Sequence, residues 1–204
     1  MNKKIIISIV LIVFIGVCII LFWHHLEGKE NLINNDSNDN KNEKDNTNKS
    51  NIVIYFSETG NTKKVAEMIG TVIDSPVISI IPKDEYTLED IDYTSENSRA
   101  NKEQQNPKAR PEIANKIDIT NYDTIYLGYP IWWGDVPKII LTLIDTYDFR
   151  GKTIIPFCTS GSSGISTSIN TLRKYNSNMT VLNGKRFSTS VTKEEISTWI
   201  NENE

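Results

Sequence analysis

Ser57-Glu58-Thr59-Gly60-Asn61-Thr62 brings three hydroxyls, a glycine and the start of an amphipathic run together within six residues. If that run is a helix, its first N–H groups are exposed and its dipole favours negative charge, which suits a phosphate. Gly60 lets the backbone bend closely around such a group. The loop has neither the spacing nor the lysine of a nucleoside-triphosphate loop, and it lacks the three-glycine dinucleotide pattern. A monophosphate held by hydroxyls and amides fits it better. An ordinary helix cap uses the same residue types, and the hexapeptide alone does not separate the two.

Two further loops carry usable chemistry. Tyr129-Pro130-Ile131-Trp132-Trp133-Gly134 sets two tryptophans beside a proline and a glycine. Their rings could cover a flat conjugated ligand, or they could close the end of the core as a hydrophobic plug. Thr159-Ser160-Gly161-Ser162-Ser163-Gly164 is built of small residues that let backbone approach a ligand edge. Gly164 follows Ser163 directly, so this is not the G-x-S-x-G elbow of hydrolases, and a flexible surface loop is the plain alternative. Three such loops together are far more specific than any one of them.

Regular elements must position these loops. Ile52-Val53-Ile54-Tyr55-Phe56 is a short apolar run of the kind found in a strand buried on both faces. Residues 62–72 place Val65, Ala66, Met68, Ile69 and Val72 at helical spacing. Strands are predicted again at 76–81, 124–129 and 153–158, with helices at 136–147 and 165–175. Pro137 falls in the first turn of the former, where a missing N–H does no harm. A fifth strand lies at 179–182 or at 186–187. Thr192 with Glu195 three residues on has the capping-box pattern of a last helix, whose apolar side is Ile196, Trp199 and Ile200. Residues 83–116 are polar and irregular. Strands alternating with helices predict an α/β doubly wound parallel sheet. In such a sheet ligands bind beyond the carboxyl ends of the strands, which is where the three loops would lie.

Composition narrows the chemistry. The chain has 22 basic and 26 acidic side chains, and residues 1–50 hold six of each, so 16 against 20 remain and the whole net charge of −4 belongs to the rest. A mildly acidic domain is poorly suited to nucleic acid. Both histidines, His24 and His25, precede the folded part, which leaves no material there for a Ser-His-Asp arrangement or a His-based metal site. Cys18 and Cys158 are too far apart in character to suggest a disulfide framework.

The first 50 residues read as something other than domain. Residues 5–23 carry no charge and follow Lys3 and Lys4. That is close to the roughly 20 apolar residues a membrane-spanning helix needs. A cleaved signal would have a shorter core and a small-x-small site, and Leu21-Phe22-Trp23-His24-His25-Leu26 offers none. Residues 1–26 are therefore expected to be an anchor, with the lysines favouring a cytoplasmic N-terminus and an extracytoplasmic C-terminal domain. Residues 27–50 are rich in Asn, Asp, Lys, Glu and Ser and read as a solvated tether. The folded domain is expected at 51–204.

Residues 52–62, 125–134 and 153–165 resemble the FMN-binding loops of the flavodoxin family. More narrowly, they resemble bacterial flavodoxins with a tryptophan in the second loop and an Ala-Arg-Pro-Glu stretch, here Ala109-Arg110-Pro111-Glu112. The resemblance implies a five-stranded sheet in order 2-1-3-4-5 and non-covalent FMN. Ser57, Thr59, Gly60, Asn61 and Thr62 would take the phosphate. Pro130, Ile131, Trp132, Trp133 and Gly134 would line one side of the isoalloxazine, and Thr159, Ser160, Gly161 and Gly164 its other edge. Many flavodoxins carry acidic residues and a stacked tyrosine in the third loop, and residues 159–164 contain neither, so the outer face of the flavin would be open or covered by something else.

The flavin would carry the chemistry, with no catalytic side chain in the usual sense. Two mechanisms are open: an electron carrier that docks to redox partner proteins, and an FMN-dependent NAD(P)H oxidoreductase passing electrons to a quinone or other small acceptor. A flavin-less adaptor is a third reading, but nothing structural would require all three polar loops. Arg99, Lys102, Lys108 and Arg110 in the long 83–116 segment could approach the flavin or an anionic substrate, against the plainer reading of a solvated insertion with one irregular helix. Cys158 and Tyr129 could be flavin neighbours or simple packing.

Overall fold

The computed structural model describes residues 50–202. Its elements in chain order are β1 (Asn51–Tyr55), α1 (Asn61–Val72), β2 (Val77–Ser79), α2 (Arg99–Gln105), β3 (Thr124–Pro130), α3 (Lys138–Thr146), β4 (Thr153–Thr159), α4 (Ser166–Tyr175), β5 (Thr180–Val181), β6 (Lys185–Phe187) and α5 (Lys193–Asn201). Every strand pair is parallel, in the order β2-β1-β3-β4-β5, with β6 also beside β4.

Side chains on a strand alternate between faces, and a sheet covered on both sides must therefore be apolar at every position. Ile52, Ile54 and Phe56 join Ile125, Leu127 and Tyr129 in one core, which α3 completes with Ile139, Ile140 and Leu143. Val53 and Tyr55 join Tyr126, Ile155 and Phe157 in the second, closed by Val65, Ala66 and Ile69 of α1 and by Ile196, Trp199 and Ile200 of α5. Gly128 belongs to this second face. A methyl group there would stand 2.2 Å from the Phe157 ring, so its absence gives that ring its place.

The fifth strand resolves the choice left by the sequence: both segments pair with β4, as two halves of one interrupted strand. Leu182 N donates to Ile154 O at 2.9 Å, so residue 154 faces this strand, and by alternation so does Pro156. Pro156 has no N–H to offer, and the ladder breaks opposite it, between Val181 and Lys185. Gly184 lies in the break, where a Cβ would be 2.3 Å from the Pro156 carbonyl oxygen.

Two other expectations are refined. Pro137 is the residue capping α3 rather than a member of its first turn. The 83–116 segment contains a true helix, α2, capped by Ser98, whose hydroxyl accepts from Asn101 N at 3.4 Å. Tyr86 and Ala100 anchor the segment by burial, and Ile117 is buried just past its end. The capping box on α5 is present, with Glu195 N donating to Thr192 Oγ1 at 3.3 Å and Thr192 N to Glu195 Oε2 at 3.1 Å. Among the described residues no helix is long and apolar enough to cross a membrane, and the expected anchor and nearly all of the tether lie outside them.

Gly184→Ala should destabilise the domain by about 1–3 kcal/mol, because its methyl group meets backbone that cannot step aside. A lower midpoint in urea with an unchanged slope is the expected result.

Candidate functional site

The three loops meet at the carboxyl edge of the sheet, around a cleft of about 490 Å³. Thr59 and Asn61 of the first loop, Pro130, Ile131 and Trp132 of the second, and Thr159, Ser160 and Gly161 of the third line it. Gly60 adopts φ 81° and ends on α1, whose N-terminus has no side-chain cap and no acidic residue in its first turn. Its leading N–H groups thus face the loop without the partner a cap would supply, and the dipole makes this end attractive to an anion. Asn61 Nδ2 donates to Thr59 Oγ1 at 3.2 Å, which sets both side chains at the cleft wall.

Thr62 plays a different part. It is 1% exposed, and its hydroxyl lies 2.8 Å from that of Thr159, so it ties the first loop to the third. Ser57 lies in a neighbouring recess of about 230 Å³ with Glu58, Lys63, Glu85 and Tyr86. Glu58 has its carboxyl pushed up, first by burial and then by the charge of Glu85, with Arg99 opposing.

The second loop is a two-residue hairpin. Trp132 N donates to Asp135 O and Asp135 N to Trp132 O, both at 3.0 Å. The two central residues, Trp133 and Gly134, have φ of 48° and 77°, as a type I′ turn requires. Tryptophan pays for that conformation and glycine does not. Surrounding bonds hold the turn: Gln104 Nε2 of α2 donates to Trp132 O at 2.9 Å and Val136 O at 3.2 Å, and Ile131 N donates to Thr159 O at 3.0 Å. Asp135 accepts from Val136 N at 2.7 Å and from Thr171 Oγ1 at 2.8 Å. The Trp132 ring packs edge-on against Phe56 and Tyr86, with centroids 5.3 and 5.1 Å away. It is at once plug and cleft wall. Trp133 is 39% exposed and, with Gly134, forms the hairpin tip rather than the wall.

The third loop is held by a hydrogen bond from Ser160 Oγ to Ser163 O. A methyl group at Gly161 or Gly164 would meet nothing within 4 Å, so open space adjoins both. Gly164 lies just before α4, outside the cleft lining.

A fourth segment, expected only as a candidate fifth strand, completes the cleft: Arg186, Phe187, Ser188 and Thr189. Arg186 donates to Ser160 O at 3.1 Å, and Lys64 Nζ donates to Thr189 O at 3.0 Å. The available signal was a short β-prone run followed by Ser-Thr-Ser, the same strand-then-hydroxyl pattern as the first loop. Doubt over the fifth strand concealed it.

Other candidates have structural roles. Arg99 pairs with Glu103 at 2.7 Å and stands 3.9 Å from the Tyr86 ring centroid, while Tyr86 OH donates to Glu103 at 2.6 Å. Arg110 binds Asp145 at 2.7 Å and Tyr175 OH. Lys102 and Lys108 are exposed. Tyr129 is fully buried with its hydroxyl 3.1 Å from Ser168 Oγ, and burial pushes the Cys158 thiol up to about 12, so it has little thiolate character. Among the described residues no cluster could hold a metal ion. A second cavity of about 510 Å³ lies at the opposite edge, where the strands begin, and there Arg150 and Asp148 pair with each other at 2.6 Å.

Thr62→Val or Thr159→Val should each cost about 1–3 kcal/mol, since either leaves a buried hydroxyl unpaired; the double variant should recover most of that loss. A thermodynamic cycle from urea unfolding checks the coupling. Glu58→Gln should raise stability at neutral pH. The folded state disfavours the Glu58 carboxylate, so the gain should vanish below the ordinary glutamate range, where the side chain is protonated folded and unfolded alike, and grow as pH rises. Unfolding curves of both proteins across pH measure this.

The family model described as flavodoxin matches residues 50–203. A candidate flavoprotein from Bacteroides uniformis is 37% identical and superposes with a TM-score of 0.72, over 75% of this chain and 98% of that one. One from Bacteroides eggerthii is 36% identical, with a TM-score of 0.72 over 75% and 96%. A Lactobacillus acidophilus flavoprotein solved in complex with FMN is 26% identical, with a TM-score of 0.59 over 74% and 99%. No curated protein matches the chain. With the family's sheet order, its loops gathered at one edge and a match over most of its length, the chain belongs to the flavodoxin family.

Proposed function

We propose that the chain binds FMN non-covalently in the carboxyl-edge cleft and serves in electron transfer. The observation that carries this is the convergence of four segments on one cleft whose first wall is an uncapped helix N-terminus beside hydroxyls. Its volume lies within the roughly 300–1,000 Å³ usual for cofactor pockets. The donor set fits the group: neutral hydroxyls, an amide and free N–H groups suit a phosphate monoester, and an aromatic wall suits a flat ring.

FMN, when bound, supplies reversible electron transfer, and two-electron reduction with uptake of one proton leaves its ring with one negative charge. The chain's residues bind and orient. The N-terminus of α1 with Thr59, Gly60 and Asn61 takes the phosphate, with Ser57 in the adjoining recess and Thr62 holding the loop to Thr159. Pro130, Ile131 and Trp132 wall one side of the ring, with Trp133 and Gly134 at the hairpin tip, and Thr159, Ser160 and Gly161 border the other edge, with Gly164 after them, just before α4. Residues 1–26 hold the domain at a membrane through the tether, with Lys3 and Lys4 favouring an extracytoplasmic domain. The electrons pass to a redox partner protein. Passage from NAD(P)H to a quinone or another small acceptor is the second reading, favoured by one observation: the described cleft lining contains no carboxylate to repel a negatively charged reduced ring.

The full chain purified in detergent should be yellow, and denaturation should release a phosphate-bearing flavin. A colourless protein that takes up no added FMN would falsify the reading. Turnover of NADH or NADPH with a quinone by the isolated protein selects the reductase, and its absence across acceptors selects the carrier. Protease accessibility in intact cells tests the sidedness.

A further inference from the structure

We infer that Arg186 is the charge-setting residue of the cleft, favouring the reduced, negatively charged flavin over the oxidised, neutral one; this rests on the FMN reading above. Arg186 lies on β6 opposite Cys158 of β4, beside the third loop. Its guanidinium is tethered by one hydrogen bond, Nη1 to Ser160 O at 3.1 Å. A guanidinium carries five N–H donors, so this bond orients the group without using it up. Among the described residues lining the cleft, Arg186 is the only charged one.

Three of the other four arginines, Arg99, Arg110 and Arg150, each pair with a carboxylate, and the fourth, Arg173, donates to Val181 O and Asn183 Oδ1 outside the cleft. No carboxylate lies within ion-pair distance of Arg186 among the described residues. The acids nearest the site in sequence are spoken for elsewhere: Asp135 accepts from Val136 N and Thr171, and Glu58 lies in the neighbouring recess. An uncompensated guanidinium in a cleft is a binding element for negative charge.

Location decides which charge. The FMN reading sets the phosphate at the N-terminus of α1 and the ring's edge at the third loop, and Arg186 donates to Ser160 O of that loop. Reduction by hydride from a nicotinamide, or by two electrons from dithionite with one proton from solvent, adds one negative charge to the ring. A fixed cation at that end stabilises the ring after reduction and not before. An equilibrium shifts by the difference in affinity between its two states, and here that difference is a raised reduction potential.

The test is the midpoint potential of FMN bound to the full chain in detergent, measured against a reference dye during reduction with dithionite. Arg186→Gln should lower the preference for reduced over oxidised FMN roughly three- to tenfold, the size expected of one partly solvated charge. Arg186→Glu should lower it further, Arg186→Lys should keep most of it, and added salt should narrow the gap between native and Arg186→Gln. A merely structural role would not order the variants by charge. Equal potentials in native and Arg186→Gln proteins that both hold FMN would overturn the inference while leaving the FMN reading intact. So would a loss of discrimination between FMN and riboflavin at unchanged potential, which would place Arg186 at the phosphate. A native protein that takes up no FMN removes both.

Discussion

Parallel pairing of β1, β3 and β4 is the constraint on which the rest of the molecule depends. A chain that runs each strand in the same direction must carry every return across a face of the sheet. Both faces are then covered, and the central strands must be apolar throughout. Every strand-to-helix loop also opens on the same edge. The cleft is the product of that geometry: β1, β3, β4 and β6 end together, and the polar loops that follow them have nowhere else to go. The two cores and the site are consequences of one pairing rule.

Within that edge the loops do not simply lie side by side. The buried hydroxyl pair of Thr62 and Thr159 joins the first loop to the end of β4, and the bond from Ile131 N to Thr159 O joins the second. Thr159 is thus the common anchor of the site. Threonine, a residue type suited to ligand contact, here holds the scaffold still. Precise placement of ligand-binding groups requires such supporting bonds, because a loosely held loop spends binding energy on being ordered.

The tryptophan hairpin shows how an unfavourable local conformation persists. Trp133 at positive φ costs energy that an isolated peptide would not pay. The turn survives because two hydrogen bonds close it, Gln104 reaches across from α2 to hold its carbonyls, and Trp132 packs between Phe56 and Tyr86. The long 83–116 segment therefore has a function in the fold: its helix and Tyr86 brace the second loop. Its two arginines pair within the fold, Arg99 with Glu103 and Arg110 with Asp145, and Lys102 and Lys108 are exposed; among the described residues the charged group lining the cleft is Arg186, from an outer strand.

The sequence by itself determined the alternation of strand and helix, the apolar strands, the capping box at Thr192 and Glu195, and the three loops, because each is written in local periodicity or local turn chemistry. It also carried the family. Only tertiary structure decided what depends on partners distant in the chain. Thr62 and Asn61 look alike in a loop, yet one is buried against Thr159 and the other lines the cleft. The two tryptophans are neighbours, yet one is wall and the other tip. The fifth strand was ambiguous because its interruption is caused by Pro156 on β4, a residue of another strand. Arg186 was invisible for the same reason: its place in the cleft follows from pairing with β4, and pairing between strands leaves no local mark.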